Sequence, residues 1–391
     1  MKKVLIVFGT RPEAIKMCPL VIELRKHTAF ETVVCVTGQH RQMLDQVLGF
    51  FKIIPDYDLS IMEQKQTLFD ITARVLNGMH SVLELENPDA VLVHGDTPTT
   101  FAAALAAFYM KIPIGHVEAG LRTRDIYAPF PEEFDRQATG LIAKWHFAPT
   151  VNARNNLLHE GKDPATVFVT GNTVIDALKY TARDDFMDET LAWTGDSRMV
   201  LLTAHRRENW GMPLRSIFRG VRRAAEELPD IKIIFPIHQN PVVRQDAQTL
   251  RDCPNIHIIE PVDVVTLHNY IARCYMILTD SGGIQEEASA FGKPVLVLRD
   301  VTERPEGVEA GTLKVIGTQE QAVYRNFLDL MTDSKEYERM SKAASPYGDG
   351  HACEYIVRIL EAADQNGGTD FMGIPGGFAF TAQAAWRSDL Q

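Results

Sequence analysis

The chain has 391 residues, 45% of them hydrophobic, and a formal charge of −11. That length can bury two full-sized cores, and the acidic balance argues against a nucleic-acid partner, whose backbone requires a basic face to displace counterions. No apolar run reaches the ~20 residues of a membrane span. The five cysteines (Cys18, Cys35, Cys253, Cys274, Cys353) lack metal-ligand spacing, so the sequence predicts a soluble, cytoplasmic protein with no disulfide, no metal and no membrane partner.

At the start, Met1-Lys2-Lys3 and the run Val4–Phe8 imitate a signal peptide, but the run stops at Gly9-Thr10-Arg11-Pro12, too short for a secretory core. It reads as the first of several β-branched strands: Val4–Phe8, Val33–Thr37, Ala90–His94, Ile114–Val117 and Val167–Thr170. Amphipathic stretches such as Ala14–Lys26, Phe69–Glu86 and Phe101–Tyr109 alternate with them. After Gly171-Asn172-Thr173 and the polar stretch Asp184–Arg198 the alternation resumes. Its strands are Met199–Thr203, Ile233–Phe235, Ile256–Ile259, Met276–Thr279 and Pro294–Leu298, with helices such as Leu214–Leu228 and Gln319–Met331. This grammar predicts an α/β chain of two doubly wound parallel sheets joined near residues 171–198. Ligands bind at the carboxyl ends of the strands in such sheets, so the active site is expected in a cleft between the domains. The tail from Asn366, broken by Gly367-Gly368 and Ile374-Pro375-Gly376-Gly377, reads as an extension without assigned function.

Chemistry-bearing residues gather at those strand ends. The first strand leads into Gly9-Thr10-Arg11-Pro12-Glu13 with Lys16 one turn on; Arg11 and Lys16 suit a phosphate or a leaving diphosphate. The absence of G-x-G-x-x-G there counts against a nicotinamide cofactor. Three acids follow on separate strand ends or loops: Asp96 in His94-Gly95-Asp96-Thr97, Glu118 in His116-Val117-Glu118-Ala119-Gly120, and Glu132 in Pro131-Glu132-Glu133. Crowded carboxylates raise one another's pKa toward the range useful for proton transfer, although Glu132, after a proline, also suits a helix start. His205-Arg206-Arg207-Glu208 follows the strand that opens the second domain, and His205 fits proton transfer or phosphate contact. His238, at another strand end, suits either a ligand contact or a helix cap. The sharpest signal is Thr279-Asp280-Ser281-Gly282-Gly283-Ile284-Gln285-Glu286-Glu287. Adjacent glycines at a helix N-terminus make a diphosphate cradle, and Glu287 or Glu286 suits ribose hydroxyls. Arg304 follows a later strand as a cradle partner or a structural ion pair.

Taken together these segments resemble the non-hydrolysing UDP-N-acetylglucosamine 2-epimerases of bacteria. The collinear motifs run from Phe8-Gly9-Thr10-Arg11-Pro12-Glu13-Ala14 through His94-Gly95-Asp96-Thr97, His116–Thr123, His205–Glu208 and Asp280–Gly283 to Pro346-Tyr347-Gly348-Asp349-Gly350. The resemblance implies two Rossmann-like domains of the glycosyltransferase-B type, residues 1–171 and 172–351, with a helix near 352–363 packing back on the first; residues 366–391 have no counterpart. It implies reversible C2 epimerisation of UDP-GlcNAc and UDP-ManNAc, through elimination of UDP to 2-acetamidoglucal and re-addition, with no cofactor. Asp96, Glu118, Glu132 and His205 are the implied catalytic residues; Arg11, Lys16, Ser281, Gly282, Gly283, Glu287 and Arg304 bind the nucleotide sugar. A homodimer and a regulatory UDP-GlcNAc site at Gln42, Gln46, Arg207 and His238 are implied as well. One departure is Leu267, where the family often places an aromatic near the uracil. A hydrolysing epimerase, a glycosyltransferase of the same fold and a non-catalytic nucleotide-sugar sensor are the competing readings.

Overall fold

The structure is a computed structural model that describes residues 1–38, 41–63 and 66–365; the tail beyond Gln365 lies outside the described residues. Contacts divide the chain into two units, the first from Met1 to Ala177 and again from Gly348, the second from Leu178 to Tyr347.

The first unit runs β1 (Lys2–Phe8), α1 (Arg11–Lys26), β2 (Phe30–Val36), α2 (Arg41–Phe51), β3 (Tyr57–Asp58), α3 (Leu68–Glu86), β4 (Ala90–His94), α4 (Pro98–Tyr109), β5 (Ile114–Val117), α5 (Glu132–Ile142), β6 (Trp145–Ala148), α6 (Val151–His159), β7 (Val167–Val169) and α7 (Thr173–Thr181). Its sheet has the order β3-β2-β1-β4-β5-β6-β7, and every pairing is parallel. Burial on both faces explains why the strands read as unbroken apolar runs. In β1, Leu5 and Val7 join the cluster under α3 and α4, whereas Ile6 and Phe8, pointing the other way, are equally buried.

The second unit comprises α8 (Glu189–Thr194), β8 (Arg198–Thr203), α9 (Met212–Glu227), β9 (Ile231–Pro236), α10 (Pro241–Asp246), β10 (Ile256–Ile259), α11 (Val264–Arg273), β11 (Met276–Thr279), α12 (Gly282–Ala290), β12 (Val295–Val297), α13 (Pro305–Ala310), β13 (Leu313–Val315), α14 (Glu320–Thr332) and α15 (Ser334–Ser341). The parallel order is β10-β9-β8-β11-β12-β13. Val200 and Leu202 face the cluster built with α9 and α14, and Met199 and Leu201 face the one built with α11 and α12. Both sheets are doubly wound and Rossmann-like, and in each the strand order reverses once, at β1/β4 and at β8/β11. Ligands of such sheets bind outside the strand ends at that switch point.

The last described helix, α16 (Ala352–Gln365), belongs to the first unit. The N–H groups of Ala352 and Cys353 donate to the buried Asp176 carboxylate at 3.1 and 2.9 Å, and Glu361 meets His27, the C-cap of α1, at 2.8 Å. Because Asp176 lies in the first turns of α7, the division falls inside that helix rather than after Gly171. Among the described residues no helix is long and apolar enough to cross a membrane, and all five thiols are free and buried.

At the end of β1 the backbone packs against two side chains. A Cβ added to Gly9 would lie 2.0 Å from Thr37 Oγ1 and 2.6 Å from Thr99 Oγ1, and those hydroxyls are hydrogen-bonded to each other at 3.0 Å. Threonine is stiff about χ1, so the strain cannot be shed cheaply. Gly9→Ala is expected to destabilise the protein by ~1–3 kcal/mol, seen as a lower urea midpoint at unchanged m.

Candidate active site

The turn after β1 is organised by Glu13. Its Oε2 accepts the N–H groups of Gly9 and Thr10 at 3.0 and 2.7 Å, and its Oε1 accepts the hydroxyls of Thr97 and Thr100 at 2.8 and 3.2 Å. The first pair forms a capping box with Thr10 at the start of α1. The second ties that turn to the one after β4, where Asp96 sits. Both strands that flank the switch point are thus fixed to one buried carboxylate.

Around that point three of the acids singled out in the sequence gather. Glu118 leaves β5 with φ 62°, the left-handed region that a non-glycine residue enters at a cost of ~1 kcal/mol or more. Its side chain is 10% exposed and ion-paired with Lys16, and Oε2 also accepts Asn172 Nδ2 at 2.9 Å. His94 Nε2 stands 3.6 Å from the same oxygen. Glu118 Oε1 lies 3.9 Å from where a Cβ on Gly95 would be, over the turn that carries Asp96. Asp96 pairs with Arg136 of α5, which also meets Glu133 at 3.2 Å. Glu132 opens α5, and its Oε2 is buried without a hydrogen-bond partner.

The electrostatics separate these groups. Burial works to raise Glu118, but Lys16 and His94 outweigh it and hold the carboxyl well below its usual range. Asp96 moves the other way, raised by burial and by the charge of Glu118 despite Arg136. Two carboxylates in one group, one kept ionised and the other inclined to hold a proton, are what acid–base chemistry requires.

In the second unit Asp280 plays the role that Glu13 plays in the first. Fully buried after β11, it accepts the N–H groups of His205 and Arg206 and the side chain of Asn209 at 2.9–3.1 Å. The turn after β8 is thereby locked beside Ser281-Gly282-Gly283, which opens α12. Ser281 makes no side-chain cap, so the first N–H groups of α12 face outward with the positive end of its dipole. A Cβ on Gly282 would lie 3.6 Å from Arg304 Nη2 and 3.7 Å from Arg206 Nη2. Arg304 is oriented by Glu286. Of the two acids proposed for ribose, Glu286 is therefore committed to Arg304, while Glu287 stands 3.5 Å from His268. The region is cationic enough that Arg299, Arg206 and Arg304 overcome burial to lower Glu303.

His205 lies 3.4 Å from Asp280 and stacks on His238, centroids 5.5 Å apart at 15°. Burial first, then His238 and Arg206, depress its pKa against the pull of Asp280. His238 Nδ1 accepts the N–H of Asn240 at 3.1 Å, while Asn240 itself caps α10. Arg207 lies over Trp210 at 5.6 Å. Of the remaining sequence candidates, Arg11 is the first residue of α1 and half-buried, and Gln46 is exposed on α2; the side chain of Gln42 lies outside the described residues. Lys16 is drawn into the carboxylate group rather than left for a phosphate alone. Leu267 packs against a core cluster, and Tyr270 is buried with its hydroxyl on Asp188 at 2.6 Å. Arg136, Asn172 and His94 carry no role in the sequence reading, although Asn172 and His94 stand inside segments singled out there; Arg136, four residues after Glu132 on one helix face, is detectable only by that spacing.

The family model described as UDP-N-acetylglucosamine 2-epimerase matches residues 22–361 of this chain. The chain is 56% identical to the UDP-N-acetylglucosamine 2-epimerase of Bacillus subtilis (strain 168), over 92% of its own length and 94% of that protein's. A UDP co-structure of S. aureus MnaA superposes with TM-score 0.85 at 54% identity, covering 92% of this chain and 96% of that one. The UDP-GlcNAc 2-epimerase from Neisseria meningitidis, solved bound to UDP-GlcNAc, gives TM-score 0.83 at 47% identity, covering 92% and 100%.

Removing the Asp280 carboxylate leaves buried donors on the β8 turn without an acceptor. Asp280→Ala is expected to cost ~3 kcal/mol or more, measured by chemical denaturation.

Proposed function

This chain belongs to the UDP-N-acetylglucosamine 2-epimerase family and is an isomerase, and we propose that it interconverts UDP-GlcNAc and UDP-ManNAc by eliminating UDP and adding it back. A base takes the C2 proton, the C1–O bond breaks with its electrons passing to the diphosphate, and 2-acetamidoglucal remains. UDP oxygen then attacks C1 while an acid delivers a proton to the opposite face of C2. Atoms and charge balance without a redox partner.

The observation that carries this reading is the gathering of Asp96, Glu118 and Glu132 in one strand-end group, where Glu118 pairs with Lys16 and Asp96 with Arg136, with Glu118 shifted down and Asp96 up. Asp96, pushed up from the ordinary carboxylate range by burial and by Glu118, is the member of the pair suited to exchange a proton. Glu118 stays ionised and holds Lys16 in place. Glu132, whose buried Oε2 has no hydrogen-bond partner, is the second proton-transfer group, as inversion needs one on each face. The C2 hydrogen is a weak acid with no adjacent carbonyl, so the barrier falls only if the departing diphosphate is strongly stabilised. The α12 N-terminus at Ser281-Gly282-Gly283, with Arg206 and Arg304, supplies that, and His205 contacts the leaving group. Arg11 supports the phosphates and Glu287 the ribose. The relatives solved with UDP and with UDP-GlcNAc support a UDP-sugar as substrate.

The proposal extends to a cytoplasmic homodimer and to a regulatory UDP-GlcNAc bound through Gln42, Gln46, Arg207 and His238. The stacking of His238 on His205 supports it, since it gives a second ligand a short route to a catalytic side chain. Turnover of UDP-GlcNAc is then sigmoidal, and UDP-ManNAc alone turns over poorly; hyperbolic kinetics with UDP-ManNAc alone would remove the regulatory site.

Incubation of the protein with UDP-GlcNAc in D₂O should yield UDP-ManNAc carrying deuterium at C2 in proton NMR. Accumulation of free ManNAc and UDP indicates a hydrolysing enzyme instead, transfer to an added sugar a glycosyltransferase, and no change at all a sensor. Asp96→Asn should lower kcat by about 10²–10⁴-fold with UDP affinity retained; loss of UDP affinity would move Asp96 from proton transfer to binding.

A further inference from the structure

One stripe of α5 carries buried polar oxygens that make no hydrogen bond. Glu132 Oε2, Asp135 Oδ2 and Thr139 Oγ1 are all buried and without a hydrogen-bond partner, and spacings of three and four residues put them on the same helix face. Asp135 is 4% exposed and Thr139 fully buried. A buried ionised carboxylate with an oxygen left unpaired is costly, and the ordinary resolution is uptake of a proton.

Among the described residues Asp135 makes no ion pair. Asp96 and Glu132 face it with like charge. On its own helix, Arg136 is engaged by Asp96 and Glu133. The packed helix α4 (Pro98–Tyr109) contributes no acidic or basic side chain. From β5, whose end carries the ion-paired Glu118, comes His116, whose Nε2 donates to the Gly95 carbonyl at 2.7 Å; burial keeps that ring neutral by lowering it to about 3.

We propose that Asp135 is a further member of the carboxylate group, a positioning residue that takes up a proton of its own as pH falls through neutrality and so spares Asp96 and Glu132 an additional negative charge beside them. This rests on the proton-transfer reading above. It accounts for an acid that is almost fully buried, with one oxygen unpartnered and no ion pair among the described residues, and it assigns the residue a role exerted through its neighbours rather than on the substrate. Burial, then Asp96 and Glu132, push Asp135 up to about 7. The folded chain therefore binds more protons than the unfolded one between the ordinary aspartate pKa of ~4 and that value. The linked stability declines as pH rises across this window and is level above it.

The test compares the full-length protein with Asp135→Asn, a neutral isostere, in three readouts. Melting temperature followed from pH 5 to 8 should fall in the wild type relative to the variant, so that the variant gains on it as pH rises. The infrared band of a protonated carboxyl at pH 6 should lose intensity in the variant. The step near pH 7 in the wild-type kcat profile should disappear, with KM within about twofold. Parallel melting curves together with an unchanged band overturn the proton on Asp135. A thermal and infrared signal with an unaltered kcat profile overturns the positioning role and leaves the epimerase reading intact. Absence of C2 deuterium exchange in the wild type, with the thermal and infrared signals present, sinks the reading on which the role rests. Should the Asn variant fail to fold, Asp135→Ser carries the same comparison.

Discussion

A parallel sheet ends each strand in a turn whose N–H groups point away from the ladder and need an acceptor. In this chain each unit meets that need with one buried carboxylate at its switch point: Glu13 takes Gly9, Thr10, Thr97 and Thr100 in the first, and Asp280 takes His205, Arg206 and Asn209 in the second. Charge-assisted bonds of this kind are about twice as strong as neutral ones, and buried donors are costly when left unmade. The consequence is geometric. Two turns that arrive from strands far apart in sequence are fixed against the same group of atoms, and the functional side chains they carry inherit that precision.

What each carboxylate positions differs in charge. The first unit surrounds its switch point with Asp96, Glu118, Glu132 and Asp135, relieved by Lys16 and Arg136. The second surrounds its own with Arg206, Arg299 and Arg304 and the open end of α12. The first arrangement can move protons because its members have been pushed apart in pKa; the second can hold a departing anion because helix dipole and guanidinium groups act together. The elimination proposed for this chain needs both capacities.

Much of the fold was legible because buried parallel strands and amphipathic helices leave strong periodicities. The β1, β4, β5, β8 and β11 segments were readable as apolar runs ending in glycine or polar turns. The strands Trp145–Ala148 and Leu313–Val315 were not, since three or four residues interrupted by His146 or Lys314 carry no period. The polar stretch Asp184–Arg198 hid the short helix Glu189–Thr194, whose stability comes from Asp188 at its cap and Leu191 in the core rather than from propensity. Thr10, Thr97 and Asp263 each cap a helix through a side-chain oxygen, a role the sequence analysis did not assign to them.

The sequence by itself determined the two-sheet α/β plan and the family to which the chain belongs. It also placed the strand-end segments that carry Asp96, Glu118, His205 and the Ser281-Gly282-Gly283 turn, because strand alternation and glycine-rich turns are local properties. Only the tertiary structure decided which of these residues act in pairs. Glu118 meets Lys16 across 102 positions and Arg136 reaches Asp96 across 40; Glu286 rather than Glu287 takes Arg304, and Asp135 is left buried without an ion pair among the described residues. Those outcomes depend on burial and on distances between turns brought together by the order of the strands, and a carboxylate's protonation follows from its surroundings, which are absent from its place in the chain.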